Sequence, residues 1–298
     1  MLKKIIFITS SNNPAVTEAA RYATECGYET SIFLSTDFSI NNLTKEKESI
    51  LFLTDSGILS GKLLAEGFYV VGMSLGQENE SFEGTKYVFT DIDEIDIDSY
   101  VKAYQRYAGE PWEVLRTGRL LIRETTVEDV DIFYKLYADP DMTRYMEGLF
   151  ENPEDEKRYQ KDYIEKVYGL MGFGVWTIAR LSDNAIIGRA GYSVRNGFDE
   201  VELGFLIGKD YQNQGYAFEA CSAILDYGRD VLLLPKCQAL VKEQNAVSLH
   251  LLKKLGFKEE STVEVEENIY GKEYGNGKRL SVGSADVGRY IKMTKFLW

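Results

Sequence analysis

The chain has 298 residues, an apolar content of 44% and a formal net charge of −13. This length exceeds what one hydrophobic core usually organises, so we expect two domains. Both halves of the chain are acidic, which argues against nucleic acid or an anionic membrane as a main partner, since both require a cationic surface. A cationic, amine-bearing partner fits this charge better.

The cysteines and the first residues bear on the location of the protein. Cys26, Cys221 and Cys237 are scattered along the chain and have neither a disulfide framework nor a metal-ligand spacing. The first apolar run is too short for a signal peptide or a membrane span, and it predicts a strand instead. We therefore expect a cytoplasmic protein that binds no metal.

Residues 1 to about 108 alternate short apolar runs with helical patterns, which predicts a small α/β domain with a doubly wound parallel sheet, Rossmann-like in character. A first helix is expected from the cap Asn13 and Pro14 to Gly27, and a second over residues 60–66. The acidic run 91–98 is expected to cap a third helix rather than bind a metal. The predicted strands are residues 1–10, 30–34, 50–54, 69–71 and 87–89.

A linker is predicted at residues 107–112, where Gly109 and Pro111 interrupt helical structure. It divides the chain into a domain of residues 1–112 and a domain of residues 113–298. In the second domain Thr126 is expected to cap the amide of Asp129 at the start of a helix, and another helix is expected to begin at Asn152. The aromatic stripe of that later helix favours a core-facing role over a wall for substrate.

Six strands and one hairpin turn are expected in the second domain. Short links between the middle strands imply antiparallel pairing, with a turn at residues 182–184. The segment 270–289 is rich in glycine and polar residues, and either a lid or a long hairpin loop fits it. The predicted strands are residues 119–124, 174–181, 185–193, 200–207 and 237–242, with a last strand at 290–298.

A loop with small residues links the strand 200–207 to an amphipathic helix whose buried stripe starts at Ala217. Such a strand, loop and helix N-terminus present free backbone N–H groups at the positive end of a helix dipole, which suits a pyrophosphate. Glycine at 215 allows the backbone to approach phosphate oxygens closely. The residues predicted to line this cradle are Gln212, Asn213, Gln214, Gly215, Tyr216 and Ala217.

These features, taken in order, resemble the GNAT superfamily of N-acetyltransferases, in particular its branch of ribosomal-protein alanine/serine acetyltransferases (the RimJ/RimL type). The likeness extends from about residue 112 to Phe257. It comprises the opening strand 119–123, the strand 202–205, the loop 212–217, and the unit from Asn245 and Ser248 to Gly256 and Phe257.

The resemblance implies an α+β domain with a mixed, splayed sheet and acetyl-coenzyme A as co-substrate. The pantetheine arm is expected in a split between strands 200–207 and 237–242, with backbone contacts from Phe205, Leu206 and Ile207. Asn245 is expected to contact the coenzyme as well as to cap a helix. Gly204 is interpreted as a bulge that frees a ladder N–H for the oxyanion.

The expected chemistry is direct attack of an unprotonated amine on the acetyl carbonyl. Glu202 occupies the position where related enzymes carry an acidic residue and is the candidate base, with Glu200 as the second candidate. Many GNAT enzymes protonate the leaving thiolate with a tyrosine, but this chain has Leu252 at that position. Ser248 is the nearest hydroxyl in the matched pattern, and a purely local hydrogen bond explains it equally well.

The first domain resembles, over a shorter stretch, the haloacid dehalogenase-like fold, through residues 50–56 and 69–72. In that family the acidic residue after this strand, here Asp55, helps to hold magnesium. The Asp-x-Asp nucleophile is missing from residues 8–12, so a structural or ligand-sensing domain is favoured over a phosphatase.

Three functions fit the sequence. An N-acetyltransferase is favoured, with a small-molecule amine or a protein N-terminus as acceptor. A non-catalytic acyl-coenzyme A sensor gains support from Leu252. A bifunctional protein with residual phosphate chemistry is opposed by the missing nucleophile. The sequence does not define the acceptor or the oligomeric state.

Overall fold

The structure is a computed structural model that describes residues 1–39, 47–76, 80–275 and 285–298. The chain forms two compact units, Met1–Trp112 and Glu113–Trp298. Each unit has its own sheet and its own hydrophobic core. None of the helices in these described ranges is long and apolar enough to cross a lipid bilayer.

The first unit contains a five-stranded sheet in the order β2-β1-β3-β4-β5, with every pair parallel. The predicted parallel α/β architecture is therefore confirmed. The strands are β1 (Lys4–Thr9), β2 (Glu29–Leu34), β3 (Ile50–Thr54), β4 (Tyr69–Met73) and β5 (Val88–Phe89), and the helices are α1 (Pro14–Glu25), α2 (Gly57–Ala65) and α3 (Ile97–Ala108).

Side-chain caps determine where these helices begin. Asn13 Oδ1 accepts a hydrogen bond from Ala15 N at 2.9 Å, as predicted for α1. Helix α2 starts three residues earlier than predicted because Ser56 Oγ accepts from Leu59 N at 3.3 Å. In the acidic run, Asp96 accepts from Asp98 N at 2.8 Å and so caps α3, which confirms the capping interpretation.

Asp55 lies at the carboxyl end of β3, beside β1. From β1 the chain continues to β2 on one side of the sheet, and from β3 it continues to β4 on the other side. Order β2-β1-β3 makes this a topological switch point, the usual ligand position in open α/β sheets. Its side chain is 3% exposed, and its carboxylate accepts hydrogen bonds from Ser10 N at 2.9 Å and Ser10 Oγ at 2.7 Å. The carboxylate therefore joins the ends of β1 and β3.

The second unit contains an eight-stranded mixed sheet in the order β12-β13-β11-β10-β9-β8-β7-β6, in which only β10 and β11 pair in parallel. The mixed sheet is as predicted, whereas β6 and β12 were not predicted. The strands are β6 (Glu113–Arg116), β7 (Leu120–Arg123), β8 (Val175–Arg180), β9 (Ile186–Ser193), β10 (Glu202–Ile207), β11 (Lys236–Val241), β12 (Lys258–Glu267) and β13 (Asp286–Phe296).

Helix Tyr216–Asp230 packs against β9 and β10 of this sheet and carries part of the core of the unit. Ala220, Cys221, Ile224 and Leu225 are buried there, as predicted, together with the sheet residue Trp176. A π-helical segment, Ile164–Tyr168, directly follows the helix Pro153–Tyr163. The helices are α4 (Val130–Leu136), α5 (Pro153–Tyr163), α6 (Gly169–Met171), α7 (Tyr216–Asp230) and α8 (Ala246–Lys254).

The predicted side-chain cap of the Asp129 amide by Thr126 is wrong, because Asp129 N donates to the backbone oxygen of Thr126 at 3.3 Å. Helix α4 begins at Val130, and the side chain of Asp129 accepts from Thr126 N at 2.9 Å. The same carboxylate pairs with Arg123 at 2.7 Å and accepts from Thr177 Oγ1 at 2.9 Å. Asp129 is 4% exposed, and burial opposes its ionisation, but these donors hold its pKa below the usual value.

The aromatic stripe that begins in α5 divides between two environments. Tyr168 is 1% exposed in the core, as the core-facing prediction requires. The ring of Tyr159 instead contacts the rings of Phe150, Tyr270 and Tyr274. The last two belong to the segment 270–289 that was predicted as a lid or loop. Residues 276–284 of that segment lie outside the described residues, and β13 begins at Asp286, earlier than predicted.

Candidate active site

The candidate site lies where the parallel strands β10 and β11 diverge. Their ladder contains one pair of residues, Glu202 and Gln238, at the first residue of β10. Gln238 N donates to Val201 O at 2.9 Å just before this pair. Beyond it the two strands are no longer paired, while β10 remains paired with β9 up to Ile207. The sheet therefore has a split that is closed at Glu202 and open towards the carboxyl end of β10.

The backbone groups that face the split follow from the register of β9 and β10. Gly208 N donates to Ile187 O at 2.9 Å, so even-numbered residues of β10 direct their N–H groups to β9. The N–H groups of Phe205 and Ile207 therefore point to the β11 side, into the split. The register with β9 runs without a shift through Gly204, so the predicted bulge is wrong, and the amide of Gly204 bonds to β9. The free ladder amide belongs to Phe205.

The loop after β10 places backbone, rather than side chains, at the open end of the split. Gln212 Nε2 donates to Ile207 O at 2.9 Å, and Gln214 Nε2 donates to Asp210 O at 3.1 Å. Asn213 has a left-handed φ of 59°. The side chains of Gln212 and Gln214 therefore hold the loop in shape.

Helix α7 starts after Gly215, whose φ of 81° favours glycine. No side-chain cap forms at this helix start, so the amides of its first turn, including those of Tyr216 and Ala217, keep their donor capacity. A Cβ added at Gly215 meets Arg119 Nη2 at 3.5 Å. The geometry suits an anion that approaches the loop backbone closely.

Arg119 adds a positive charge at this helix start, a role that the sequence did not predict. Its Nη1 donates to Gln214 O at 3.1 Å, and its guanidinium lies 4.4 Å from the centre of the Tyr216 ring. It also forms a salt bridge of 2.6 Å with Glu219, the acidic residue in the first turn of α7. Burial opposes ionisation of Glu219, but hydrogen bonds from Thr117 and Arg119 hold its pKa below the usual value. The pair neutralises a carboxylate that otherwise repels phosphate.

Glu202 is buried at the closed end of the split, with 8% of its surface exposed. Its Oε2 accepts a hydrogen bond of 2.6 Å from Arg195 Nε. Burial raises the pKa of the Glu202 carboxyl above its usual value, although the Arg195 guanidinium opposes that rise. A carboxyl with a raised pKa at this position is suited to accept a proton.

Glu200, the second candidate base, lies in an ion-pair cluster. Its carboxylate pairs with Lys236 and with Lys292, the latter at 3.4 Å. The hydrogen bond from Lys236 lowers the pKa of Glu200 against the effect of its partial burial. Two ammonium partners make this carboxylate a weaker base than Glu202.

Helix α8 carries the remaining predicted residues. Asn245 Oδ1 accepts from Ser248 N at 3.1 Å, so Asn245 caps the helix as expected. Ser248 is half-buried in the first turn. Leu252, at the position of the tyrosine found in many relatives, is 0% exposed and belongs to the hydrophobic core. Within the described ranges, no group of three histidine, cysteine or acidic residues could hold a metal ion.

Residues 119–258 match the family model described as "Acetyltransferase (GNAT) domain". Solved structures to which the chain is similar include the acetyltransferase (GNAT family) from Bacillus anthracis, with 22% identity, a TM-score of 0.47 and coverage of 61% of this chain and 98% of that one. An "uncharacterized N-acetyltransferase YnaD" of Bacillus subtilis is 30% identical over 151 residues, which cover 49% of this chain and 83% of that protein. The chain belongs to the GNAT acetyltransferase family.

Another GNAT relative is a spermidine N(1)-acetyltransferase of Escherichia coli, 35% identical over 81 residues that cover 27% of this chain and 43% of that protein. The GNAT assignment rests on the second unit, because the family match begins at residue 119. GNAT enzymes use acetyl-coenzyme A and acetylate amines, so the chain is an N-acetyltransferase.

Three residues of this GNAT site were missed by sequence reasoning. Arg119 and Arg195 are placed by pairing with Glu219 and Glu202, respectively. Gln238 faces Glu202 across the only β10–β11 pair. A local signal existed for Gln238 alone, because a glutamine in an otherwise apolar strand is unusual in a core.

Proposed function

We propose that the protein transfers the acetyl group of acetyl-coenzyme A to a primary amine by direct attack within a ternary complex. The observation that carries this proposal is the position of Glu202, a buried carboxyl with a raised pKa at the closed end of the split. A coenzyme arm that enters from the open end reaches that carboxyl with its acyl group. Proton acceptor and acyl donor then meet at one point.

The open end of the split supplies features that fit the diphosphate of the coenzyme. The loop from Gln212 to Ala217 offers backbone amides at the start of α7, without a Cβ at Gly215 and with Arg119 beside it. A chain with a net charge of −13 can therefore bind a polyanion, because the backbone amides of the loop attract the phosphates locally although the overall charge repels them. Phe205 and Ile207 direct their amides towards the pantetheine arm, with Leu206 between them, and Asn245 lies at the start of α8.

Glu202 accepts the proton of the amine, either directly or through water, as the amine attacks the acetyl carbonyl. The amide of Phe205 donates to the carbonyl oxygen as negative charge develops on it. Ser248 is the hydroxyl assigned to the leaving sulfur. The buried Leu252 contributes packing and no proton.

The acceptor is a small-molecule amine or the N-terminal amine of a protein. A cationic amine agrees with the acidic composition of the chain. The spermidine acetyltransferase among the relatives makes polyamines the first compounds to test.

The test is an assay of purified protein with acetyl-coenzyme A and a panel of polyamines, amino acids, aminoglycosides and peptides, with free thiol as the readout. The proposal predicts amine-dependent thiol release that is lost in Glu202→Gln. Leu252 favours a second candidate, an acyl-coenzyme A sensor. Coenzyme binding without thiol release across the panel supports the sensor and contradicts the transferase.

For the first unit we propose a non-catalytic role, on a haloacid dehalogenase-like or related α/β scaffold. The observation in support is that Asp55, the residue equivalent to a magnesium ligand, is engaged by Ser10 N and Ser10 Oγ. The end of β1 also carries no carboxylate nucleophile. The acetyltransferase reaction belongs to the second unit.

A further inference from the structure

Gln238 and Glu202 share one face of the sheet at the closed end of the split. They are register partners in neighbouring strands, and side chains of register partners project to the same face. Gln238 is 0% exposed and Glu202 is 8% exposed. An amide and a carboxyl are thus buried side by side where the two strands part.

The Gln238 side chain is unusual because neither Oε1 nor Nε2 has a hydrogen-bond partner among the residues that the structure describes. Burial of an unpaired amide destabilises a fold, and native proteins rarely retain one without a reason. Gln160 in α5 is buried and unpartnered in the same way, whereas Gln238 is the register partner of Glu202 at the closed end of the split, where a ligand can complete its hydrogen bonds.

Glu202 keeps a free acceptor on the same face. Arg195 Nε donates to Oε2, and no described residue donates to Oε1. The closed end of the split therefore holds two acceptor oxygens without a described donor, Glu202 Oε1 and Gln238 Oε1, on residues that are register partners.

A primary amine that attacks a carbonyl has two N–H bonds and one lone pair. Two fixed acceptors for the N–H bonds leave the lone pair only one direction, towards the carbonyl carbon. Glu202 alone fixes one N–H bond and allows the amine to rotate about it. A second acceptor on the neighbouring strand removes that freedom.

We propose that Gln238 is an acceptor-binding residue, whose Oε1 accepts one N–H of the attacking primary amine while Glu202 Oε1 accepts the other. This inference rests on the proposed acetyl transfer. The amine lone pair forms the N–C bond, the C–S bond breaks with its electron pair on the coenzyme sulfur, and one amine proton passes to Glu202. Gln238 gains no proton. Its Oε1 keeps the hydrogen bond from the second N–H, and this N–H remains in the amide product.

The arrangement predicts a preference for primary over secondary amines, because a secondary amine has one N–H and cannot satisfy both oxygens. Gln238→Met keeps the side-chain length and removes both amide groups. It should lower kcat/KM for a primary amine by about 10–100-fold, the effect of one hydrogen bond to a group that becomes charged.

The experiment compares wild type, Gln238→Met and Gln160→Met with one good primary amine and its N-methyl analogue. Gln160 is the matched control, because it is also 0% exposed with an unpartnered side-chain amide, but lies in α5. We expect the primary-to-secondary ratio of kcat/KM to fall towards one in Gln238→Met and to stay at the wild-type value in Gln160→Met. The increase in melting temperature with acetyl-coenzyme A should be the same in all three proteins.

The inference is overturned if Gln238→Met has the same kcat/KM for the primary amine as wild type. It is also overturned if kcat/KM falls by the same factor for the primary amine and its N-methyl analogue. If Gln238→Met does not fold, Gln238→Asn replaces it, and an unchanged ratio in Gln238→Asn overturns the inference in the same way, since its shorter amide cannot reach the same point. Failure of the transferase itself is recognised separately, because wild type then releases no thiol with any amine.

Discussion

Arg195 Nε lies 2.6 Å from Glu202 Oε2, so the candidate base of the reaction is paired with a cation. The two effects on the carboxyl oppose each other: burial raises its pKa and Arg195 lowers it, and burial prevails. Arg195 Nη1 also lies 4.0 Å from Glu147 Oε1, so the positive charge of Arg195 interacts with two carboxylates. The pair therefore fixes the orientation of the carboxylate without removing its basicity.

Glu202→Gln keeps the shape of the side chain and removes the base. We expect kcat/KM for the amine to fall by roughly 10²–10⁴-fold, with nearly unchanged affinity for acetyl-coenzyme A. In wild type, activity requires the carboxylate and is lost as the pH falls through its raised pKa, above the usual 4.5. Protonation of the amine adds to this loss, so the rate should rise with pH until both groups are deprotonated. The measurement is the pH–rate profile of both proteins.

Glu200→Gln is the control for this experiment, since it removes a nearby carboxylate that already pairs with Lys236 and Lys292. Its profile should keep the wild-type shape. Equal profiles for wild type and Glu202→Gln contradict the assignment and point to Glu200 or to a chain of water molecules.

Gly215→Glu should abolish the increase in melting temperature that acetyl-coenzyme A produces by binding the folded state. A carboxylate at this position places negative charge where the diphosphate is expected. Gly215→Ala is the comparison variant, because alanine has the same strain at a φ of 81° and adds a Cβ without a charge, so it should reduce the response less than glutamate does. Thermal shift measurements with and without coenzyme separate the two effects. A wild-type response in Gly215→Glu rules out the phosphate cradle.

Arg119→Leu should raise the KM for acetyl-coenzyme A by about tenfold, because it removes a cation and also leaves the Glu219 carboxylate without its salt-bridge partner in the first turn of α7. Part of this loss should return in the double variant Arg119→Leu/Glu219→Gln, which removes the repelling carboxylate. If the double variant binds no better than Arg119→Leu, the pairing has no role in coenzyme affinity.

Leu252→Tyr introduces the tyrosine common elsewhere in the family. Leu252 is 0% exposed in the core, so the larger side chain overpacks it and its hydroxyl is buried without a designed partner. We expect a loss of about 1–3 kcal/mol in the free energy of unfolding and no gain in rate. Leu252→Met, a volume-conserving change, should cost less than that. Denaturant unfolding gives the stabilities, and a faster Leu252→Tyr enzyme contradicts the prediction.

Asp55→Asn should destabilise the first unit by about 1–3 kcal/mol, because Ser10 N donates to both carboxylate oxygens and the NH₂ that replaces one of them cannot accept. Neither the full-length wild type nor the variant should hydrolyse phosphate esters with magnesium. Thermal unfolding and a phosphatase assay check the two statements. Magnesium-dependent turnover that disappears in Asp55→Asn shows that the first unit is catalytic.

Short-range features of this fold were readable from the sequence. Asn13, Asn152 and Asn245 each cap a helix within three residues, so the relevant donor and acceptor are adjacent in the chain. The parallel sheet of the first unit followed from the spacing of apolar runs, whereas the mixed sheet was implied by the resemblance to the GNAT superfamily. The strand β12 was missed because most of its residues are polar and exposed, and apolar alternation is confined to Val263 and Val265.

The charged partners of the site residues could not be predicted from the sequence. Arg119 and Glu219 are 100 residues apart, and only the fold brings them together. Asp129 was interpreted from its local helix, but its three side-chain partners include Thr177 on a distant strand. Gly204 was interpreted as a bulge because a strand glycine often marks one, whereas here it occupies a regular ladder with open space at its Cβ position.

The position of β13 in the sheet has a consequence for synthesis of the protein. Strand β11, one wall of the split, pairs with β10 at a single rung and gains its continuous partner only from β13, which follows it after α8 and β12. On the ribosome, β11 therefore emerges with an unsatisfied edge and must wait for the later strand. The parallel sheet of the first unit is complete long before. Coenzyme binding is thus among the last properties that a nascent chain acquires.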